Sequence, residues 1–264
     1  MIFIPSISRW DNVKTLRYIS PELYSKTIFI VPYNQFNEYK KVLRGKVCVM
    51  CTPPGVKGIN GTRHWIWKWC KDNSINKFIM LDDDLAFSKR NSNEDWKHAT
   101  VIPPEDTVKM FNLLYDMLED YPHASISEKL GNNRHPGNVK ENTRYVRVLA
   151  YNLKLIPINL LKFNRIEVME DYDIALQLLR LGKKCGVLFR YCQEQSGSNA
   201  KGGCSTYRTL EVQNRSAQQL AKFHPEFVTV VKKTTKGSWF TKDGINERLD
   251  VRIQWKKAYE SSQS

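Results

Sequence analysis

The sequence lacks any apolar run near the roughly 20 residues that a membrane-spanning helix needs, so no membrane crossing is expected. Its first residues, Met1-Ile-Phe-Ile-Pro-Ser6, have neither the basic flank nor the long apolar stretch of a secretory signal. They read as a strand, and a cytoplasmic protein is expected. Cysteine is too sparse for a disulfide framework: Cys48, Cys51, Cys70, Cys185, Cys192 and Cys204 are scattered. Cys48-Val-Met-Cys51 has the spacing of a zinc or redox pair, but no second pair follows at zinc-ribbon distance, so all six are expected as reduced thiols. No internal repeat is apparent. Acidic residues are in deficit, 27 against 41 Lys and Arg, giving a net charge of +14. Such a field favours a polyanion, of which nucleic acid is the commonest.

What is present is ordinary for a globular protein, 41% hydrophobic and 26% charged over 264 residues. That length suits one large domain, expected over residues 1–227, with a basic extension over 228–264 packed on it or contacting DNA. Apolar, β-branched runs at the start of the chain, at Thr27–Pro32, at Lys46–Pro53 and at Phe78–Leu81 alternate with helical patterns. The alternation predicts an α/β fold with a mainly parallel sheet flanked by helices. A loop over residues 54–61 should lead into a helix Arg63–Asp72 capped by Thr62. Ser88–Lys97 reads as a polar loop, Gly131–Asn142 as a mobile loop, and Glu170–Gly182 as the clearest helix, with acids in its first turn.

The run ending at Leu81 stops abruptly in Asp82, Asp83 and Asp84. Three adjacent carboxylates at the end of a buried strand are not there for packing; they repel unless a cation or ligand neutralises them. Hard oxygen donors of this kind suit Mg²⁺ or Mn²⁺. An acidic turn capping a helix is the plainer alternative. Paired aspartates also occur in metal-dependent nucleotidyltransferases and nucleases, but Ser88–Lys97 adds only Glu94 and Asp95. A non-catalytic nucleic-acid binder would leave the acidic cluster unexplained.

The order Gly58-Ile-Asn-Gly-Thr-Arg63, Phe78-Ile-Met-Leu-Asp-Asp-Asp84, Glu170-Asp171 and Gly202-Gly-Cys-Ser-Thr-Tyr-Arg208 resembles glycosyltransferases of the GT-A class. More narrowly it is similar to the TET-associated glycosyltransferases of phages, over roughly residues 1–227. The resemblance implies a Rossmann-like GT-A fold and sugar transfer from a nucleotide sugar, a UDP-sugar for preference, to a hydroxymethylated pyrimidine in double-stranded DNA. It implies Mn²⁺ or Mg²⁺ on Asp82 and Asp84, with His224 as a further ligand; a helix-end cap is the alternative for His224. Arg9, Arg63, Asp82, Asp83, Gly202, Gly203 and Arg208 would then face the donor, and Asp171, with Glu170, would serve the acceptor hydroxyl as general base. Arg134 and His135 are expected in a loop over the acceptor, and Lys232, Lys233, Lys236 and Trp239 along the DNA; a solvated helix face is the alternative for the last four. A monomer acting in the host cytoplasm is expected.

Overall fold

The first four strands, β1 (Ile2–Pro5), β2 (Thr27–Val31), β3 (Cys48–Cys51) and β4 (Lys77–Leu81), are parallel neighbours in the order β3-β2-β1-β4. Their residues alternate between two faces, as the strand period of two requires. Phe3, Phe78 and Met80 join one apolar cluster, and Ile2, Ile4, Ile79 and Leu81 join the other. Both faces are covered, which is why these runs are apolar throughout. The computed structural model describes residues 1–91, 98–130, 135–195, 202–234 and 247–263.

Helices α1 (Lys14–Tyr18), α2 (Phe36–Leu43) and α3 (Gly58–Asp72) fall between these strands. Next come β5 (Leu85–Arg90), β6 (Ala99–Val101), α4 (Asp106–Asp116), β7 (His123–Glu128), β8 (Val139–Glu141) and β9 (Val148–Asn152). The chain continues through α5 (Glu170–Arg180), β10 (Gly186–Gln195) and α6 (Leu210–Phe223). It ends in β11 (Val228–Thr234), β12 (Glu247–Ile253) and α7 (Trp255–Glu260). The full sheet order is β3-β2-β1-β4-β9-β7-β10-β5-β6, with β8 beside β10. β9 lies antiparallel between β4 and β7, and β10 runs parallel to β7, so β1 to β4, β7 and β10 all point the same way. The sheet is therefore mixed but dominated by one direction. Side chains of α3, α5, α6 and α7 fill one face; those of α1, α2 and α4 fill the other.

The chain steps outward from β1 to β2 to β3, then returns through α3 to β4 on the opposite side of β1. That reversal marks the place beyond the carboxyl ends of β1 and β4, called the crevice below, where open α/β sheets bind ligands. Among the described residues no helix is long and apolar enough to cross a membrane.

Several local expectations change. The helix expected from Arg63 begins at Gly58, and Thr62 is not its cap: the Thr62 hydroxyl donates back to Gly58 O inside the helix, at 2.8 Å. Ser88–Arg90 belongs to β5: Ser88 and Lys89 pair with β10, Arg90 pairs with Ala99 of β6 and its buried Nε donates to Phe189 O; residues 92–97, with Glu94 and Asp95, lie outside the described residues. Val139–Glu141, expected within a loop, is strand β8. The basic stretch after Val228 is an antiparallel hairpin, β11 with β12, followed by α7, and not a helix face. Phe227, Val228 and Ala258 are buried in the main core, and Trp255 meets Tyr145 and Tyr172 edge-on.

Candidate active site

Asp82, Asp83 and Asp84 leave β4 at the crevice, and each carboxylate faces something different. Asp83 turns inward, is 4% exposed, and accepts from the Ser6 hydroxyl and from Arg9 Nη1. Ser6 also meets the Tyr39 hydroxyl at 2.7 Å. Burial pushes Asp83 up to about 6, although Arg9 and Ser6 pull against it. Asp83 thus anchors Arg9 more than it faces a ligand. Asp84 lies 3.0 Å from the same Arg9 nitrogen, and its pKa is raised by burial and by the neighbouring Asp82. Asp82 is the more open of the three and accepts from Arg63 Nη2 at 2.6 Å.

Arg63 links the strand end to the first turn of α5. Its Nη1 pairs with Glu170 while its Nη2 holds Asp82. Burial works against its charge, but Glu170 and Asp82 outweigh burial and raise its pKa. Its Nε is buried with no hydrogen-bond partner. Glu170 is pushed up to about 7 by burial, with Asp171 adding to the rise and Arg63 opposing it. Asp171 is raised too, by burial and by Asp82, against the pull of Arg63 and Arg144.

Three further residues complete the rim, none of them singled out from the sequence. Arg144 and Arg147 pair with the two oxygens of Glu128, at 2.9 and 3.0 Å, and Arg147 O accepts from Asp82 N. Six carboxyl groups (Asp82, Asp83, Asp84, Glu128, Glu170, Asp171) therefore meet four guanidinium groups (Arg9, Arg63, Arg144, Arg147). The excess of carboxyl over guanidinium groups, lessened near neutrality by the raised pKa of Glu170, together with the mutual repulsion of Asp82 and Asp84, suits a divalent cation shared with ligand oxygens. Among the described residues, no three His, Cys, Asp or Glu side chains are grouped so that they could hold a metal ion, so a cation here would rest on two carboxylates and on ligand oxygens.

The backbone is held in unusual conformations around this crevice. Ser8, Arg147 and Met169 all have positive φ, at 55°, 64° and 71°. Each immediately precedes or lies within the site: Ser8 before Arg9, Arg147 beside Asp82, Met169 before Glu170. Strain of this kind clusters where surrounding structure must hold functional groups in place.

The other expected residues are placed as follows. Gly202 and Gly203 pack against Arg9: a Cβ on Gly202 would lie 2.6 Å from Arg9 Cγ and 2.8 Å from Ser8 O. Gly203 N donates to Ile7 O, and Arg9 Nη2 donates to Gly202 O. Arg208 is turned to Gln213, donating from Nε and Nη2 to its Oε1. Tyr207 accepts from Ile59 N and so caps α3. His224 is buried at the end of α6, with Nε2 2.8 Å from Asp173 Oδ1 and Nδ1 3.2 Å from Arg180 Nη1. Both its ring nitrogens are engaged there, and it does not gather with Asp82 and Asp84. His135 Nε2 contacts Val139 O at 2.9 Å. Lys232 and Lys233 pair across the hairpin with Glu247 and Asp250. Arg134, Lys236 and Trp239 lie outside the described residues.

A family model described as TET-Associated Glycosyltransferase matches residues 1–203. The chain belongs to this family. It is accordingly a glycosyltransferase, and the crevice between β1 and β4 is its candidate active site. Two curated proteins are similar over most of their length. The β-glucosyl-HMC-α-glucosyl-transferase of Enterobacteria phage T6 is 26% identical, covering 84% of this chain and 80% of that protein. The protein of the same name from Enterobacteria phage T2 is 25% identical, with the same coverage. Among solved structures, the chain is similar to mannose-1-phosphate geranyltransferase from Thermus thermophilus. That likeness has a TM-score of 0.43 and 9% identity, over 73% of this chain and 75% of the other.

Proposed function

We propose that this glycosyltransferase moves a sugar from a nucleotide-sugar donor to hydroxymethylcytosine in double-stranded phage DNA, or to a sugar already carried by that base. The observation that carries this reading is the arrangement at the crevice: Asp82 and Asp84 at the strand end, Asp171 at the entrance of α5, and Arg63 between them. The relatives' names supply the acceptor, since both denote α-glucosyl transfer to β-glucosyl-HMC.

In this reading Asp82 and Asp84 are the residues that would hold Mn²⁺ or Mg²⁺. Such an ion neutralises the departing nucleoside diphosphate. Arg9 and Arg63 add fixed positive charge where phosphate oxygens gather negative charge. Asp171 would accept the proton of the acceptor hydroxyl as the hydroxyl oxygen bonds to the anomeric carbon and the bond from that carbon to the phosphate oxygen breaks. From an α-configured donor this single displacement gives a β-linked product, whereas the relatives' names denote α-glucosyl transfer. A carboxylate of raised pKa suits that task, because it holds the transferred proton better near neutrality. Glu170, fixed by Arg63, orients the first turn of α5.

The test is mass measurement of nucleosides from hydroxymethylated duplex DNA, with and without prior β-glucosylation, incubated with a panel of nucleotide sugars. Added hexose or pentose mass, lost on chelation of divalent ions, is the expected result. Unchanged nucleosides with every donor would overturn the reading. The anomeric configuration of the product bears on Asp171: a direct displacement inverts, so an α-linked product from an α-configured donor would remove the single-step base role.

A further inference from the structure

The two arginines on Glu128 differ in what holds them. Arg147 Nη1 donates to Glu128 Oε1 at 3.0 Å and to Gln193 Oε1 at 3.3 Å, and its side chain is 19% exposed. Arg144 Nη1 lies 2.9 Å from Glu128 Oε2 without the alignment of a hydrogen bond, and that oxygen has no hydrogen-bond partner. The N–H groups of Arg144 are therefore not spent on Glu128. Its other contact is a ring face: the guanidinium sits over Tyr172, 5.6 Å from the centroid. With 43% of its side chain exposed, against 9% for Arg63 and 12% for Arg9, Arg144 is the guanidinium of the site that faces outward.

The same two arginines divide the crevice. Arg147 acts on Asp84, opposing the rise in pKa that burial and Asp82 cause there. Arg144 acts on Asp171, opposing the rise that burial and Asp82 cause at the candidate base. One serves the donor side and the other the acceptor side. Glu128 brings a single negative charge to both, so the trio keeps a positive charge, carried at its exposed member. A neutral sugar has no use for that charge; an anion arriving beside Asp171 does. In a DNA acceptor the anion next to the modified base is the backbone phosphate, the group that positions a bound strand. The platform under Arg144 is built from the far end of the chain: Trp255 of α7 meets Tyr172 edge-on at 5.6 Å and Tyr145 at 6.0 Å. Held on that platform and partly in solvent, a planar fork of N–H donors matches two phosphate oxygens.

We infer that Arg144 binds the DNA phosphate beside the acceptor nucleotide, with Tyr172 as its platform, and so brings the acceptor hydroxyl to Asp171. This role rests on the DNA acceptor proposed above and adds the point at which the strand is gripped.

The test combines variants with altered DNA. Glu128 keeps Arg147 when Arg144 is replaced, so Arg144→Gln and Arg144→Lys should fold, with circular dichroism and Tm as the check. On hydroxymethylated duplex DNA, Arg144→Gln should weaken binding roughly tenfold or more, the loss of one charge-assisted contact, and lower the slope of log affinity against log salt by about one, while the donor KM holds. Arg144→Lys, which keeps the charge and gives up the fork, should keep the slope. Single methylphosphonate linkages, which remove the charge of one phosphate, are then scanned through the positions flanking the modified base. One position should weaken wild type about as much as the substitution does and leave Arg144→Gln unaffected, a pairing that a merely structural role would not produce. Should Arg144→Gln unfold, Arg144→Met, which keeps contact with the Tyr172 ring, takes its place in the scan. A variant that responds to every methylphosphonate as wild type does, or a raised donor KM with DNA affinity unchanged, overturns the inference. If wild type modifies hydroxymethylated DNA and no linkage distinguishes it from the variant, only this inference falls. If wild type neither binds nor modifies such DNA, the acceptor reading falls with it.

Discussion

Arg63 is the residue on which the two halves of the site depend, since it alone pairs with both Asp82 and Glu170. Removing either carboxylate leaves it a partner. The same holds for Arg9, which keeps Asp83 when Asp84 is removed. Asp82→Asn and Asp84→Asn should therefore keep the fold, with Tm within a few degrees of wild type, while transfer activity falls below detection and Mn²⁺ no longer raises Tm. Full activity of both variants without added metal would end the metal assignment. Protons compete for the same site. Glu170 titrates at about 7 in the folded chain against an ordinary 4.5, so the folded state holds a proton that the unfolded state has released between those values. Free-protein stability should then fall as pH rises through that window, and metal should recover more of it at pH 8 than at pH 5.5. Thermal melts across a pH series, with and without Mn²⁺, measure both slopes. For Asp171, exchange to Asn keeps shape and loses basicity, and should lower kcat by roughly 10²–10⁴-fold with donor and DNA binding retained. Wild-type turnover in Asp171→Asn would leave the carboxylate as a cap on α5.

At the scale of elements, what is legible in the sequence is whatever a local pattern encodes. The strand ending in Asp82–Asp84 and the acid-led helix α5 are contiguous runs, and both stand where the pattern puts them. The start of α3 is obscured because Gly58 and Gly61 look like loop residues. The helix reaches back to Gly58 only because Tyr207, from the far end of the chain, supplies the hydroxyl that accepts from Ile59 N. The hairpin β11–β12 is hidden for a similar reason: its strands are half-exposed, Lys232 and Lys233 stand side by side in β11, and Glu247 and Arg248 do so in β12, so neither an apolar stripe nor a clean alternation marks them. Arg144 and Arg147 carry no sequence signal, since their value lies in meeting Glu128 from another strand. The glycines at 202 and 203 are legible as sites of close approach, but what approaches is Arg9 of the chain itself. Gly202→Ala tests this. With φ of 82° and Arg9 Cγ 2.6 Å from the new methyl, either the segment 202–206 lifts or Arg9 leaves Asp83 and Asp84. A loss of roughly 1–3 kcal/mol in stability is expected, together with weaker donor binding. Unfolding by denaturant and donor titration read the two effects separately; unchanged values of both would mean that Gly202 packs only loosely on Arg9.

At the scale of the whole molecule, the +14 charge must be reconciled with a site whose own charges are balanced or negative. The excess cation therefore lies outside the crevice, on surfaces suited to a polyanion. The hairpin is one such surface. Lys232 is 75% exposed in its side chain and meets Glu247 only through an exposed ion pair, whereas Lys233, 51% exposed, donates to the more sheltered Asp250 at 2.9 Å. An exposed pair contributes roughly 0–1 kcal/mol, too little to withhold a lysine from a phosphate. A duplex buries its base edges, so an enzyme acting on a pyrimidine substituent works from the major groove or extrudes the nucleotide, and extrusion costs a few kcal/mol. Binding to the phosphates must offset that cost. DNA affinity should accordingly fall steeply with added salt, and neutralising Lys232, Lys233 and Lys236 together should reduce the slope of log affinity against log salt by up to about one unit for each phosphate no longer neutralised by a lysine. The hairpin should keep its fold, because Val228 and the backbone ladder of β11 with β12 are untouched. Donor binding at Asp82 and Asp84 should hold. Affinity for hydroxymethylated duplex DNA, measured across a salt series for wild type and the triple variant, decides the point: a slope that the substitutions leave unchanged takes the hairpin out of the DNA path, and a flat dependence in wild type takes DNA out of the acceptor assignment.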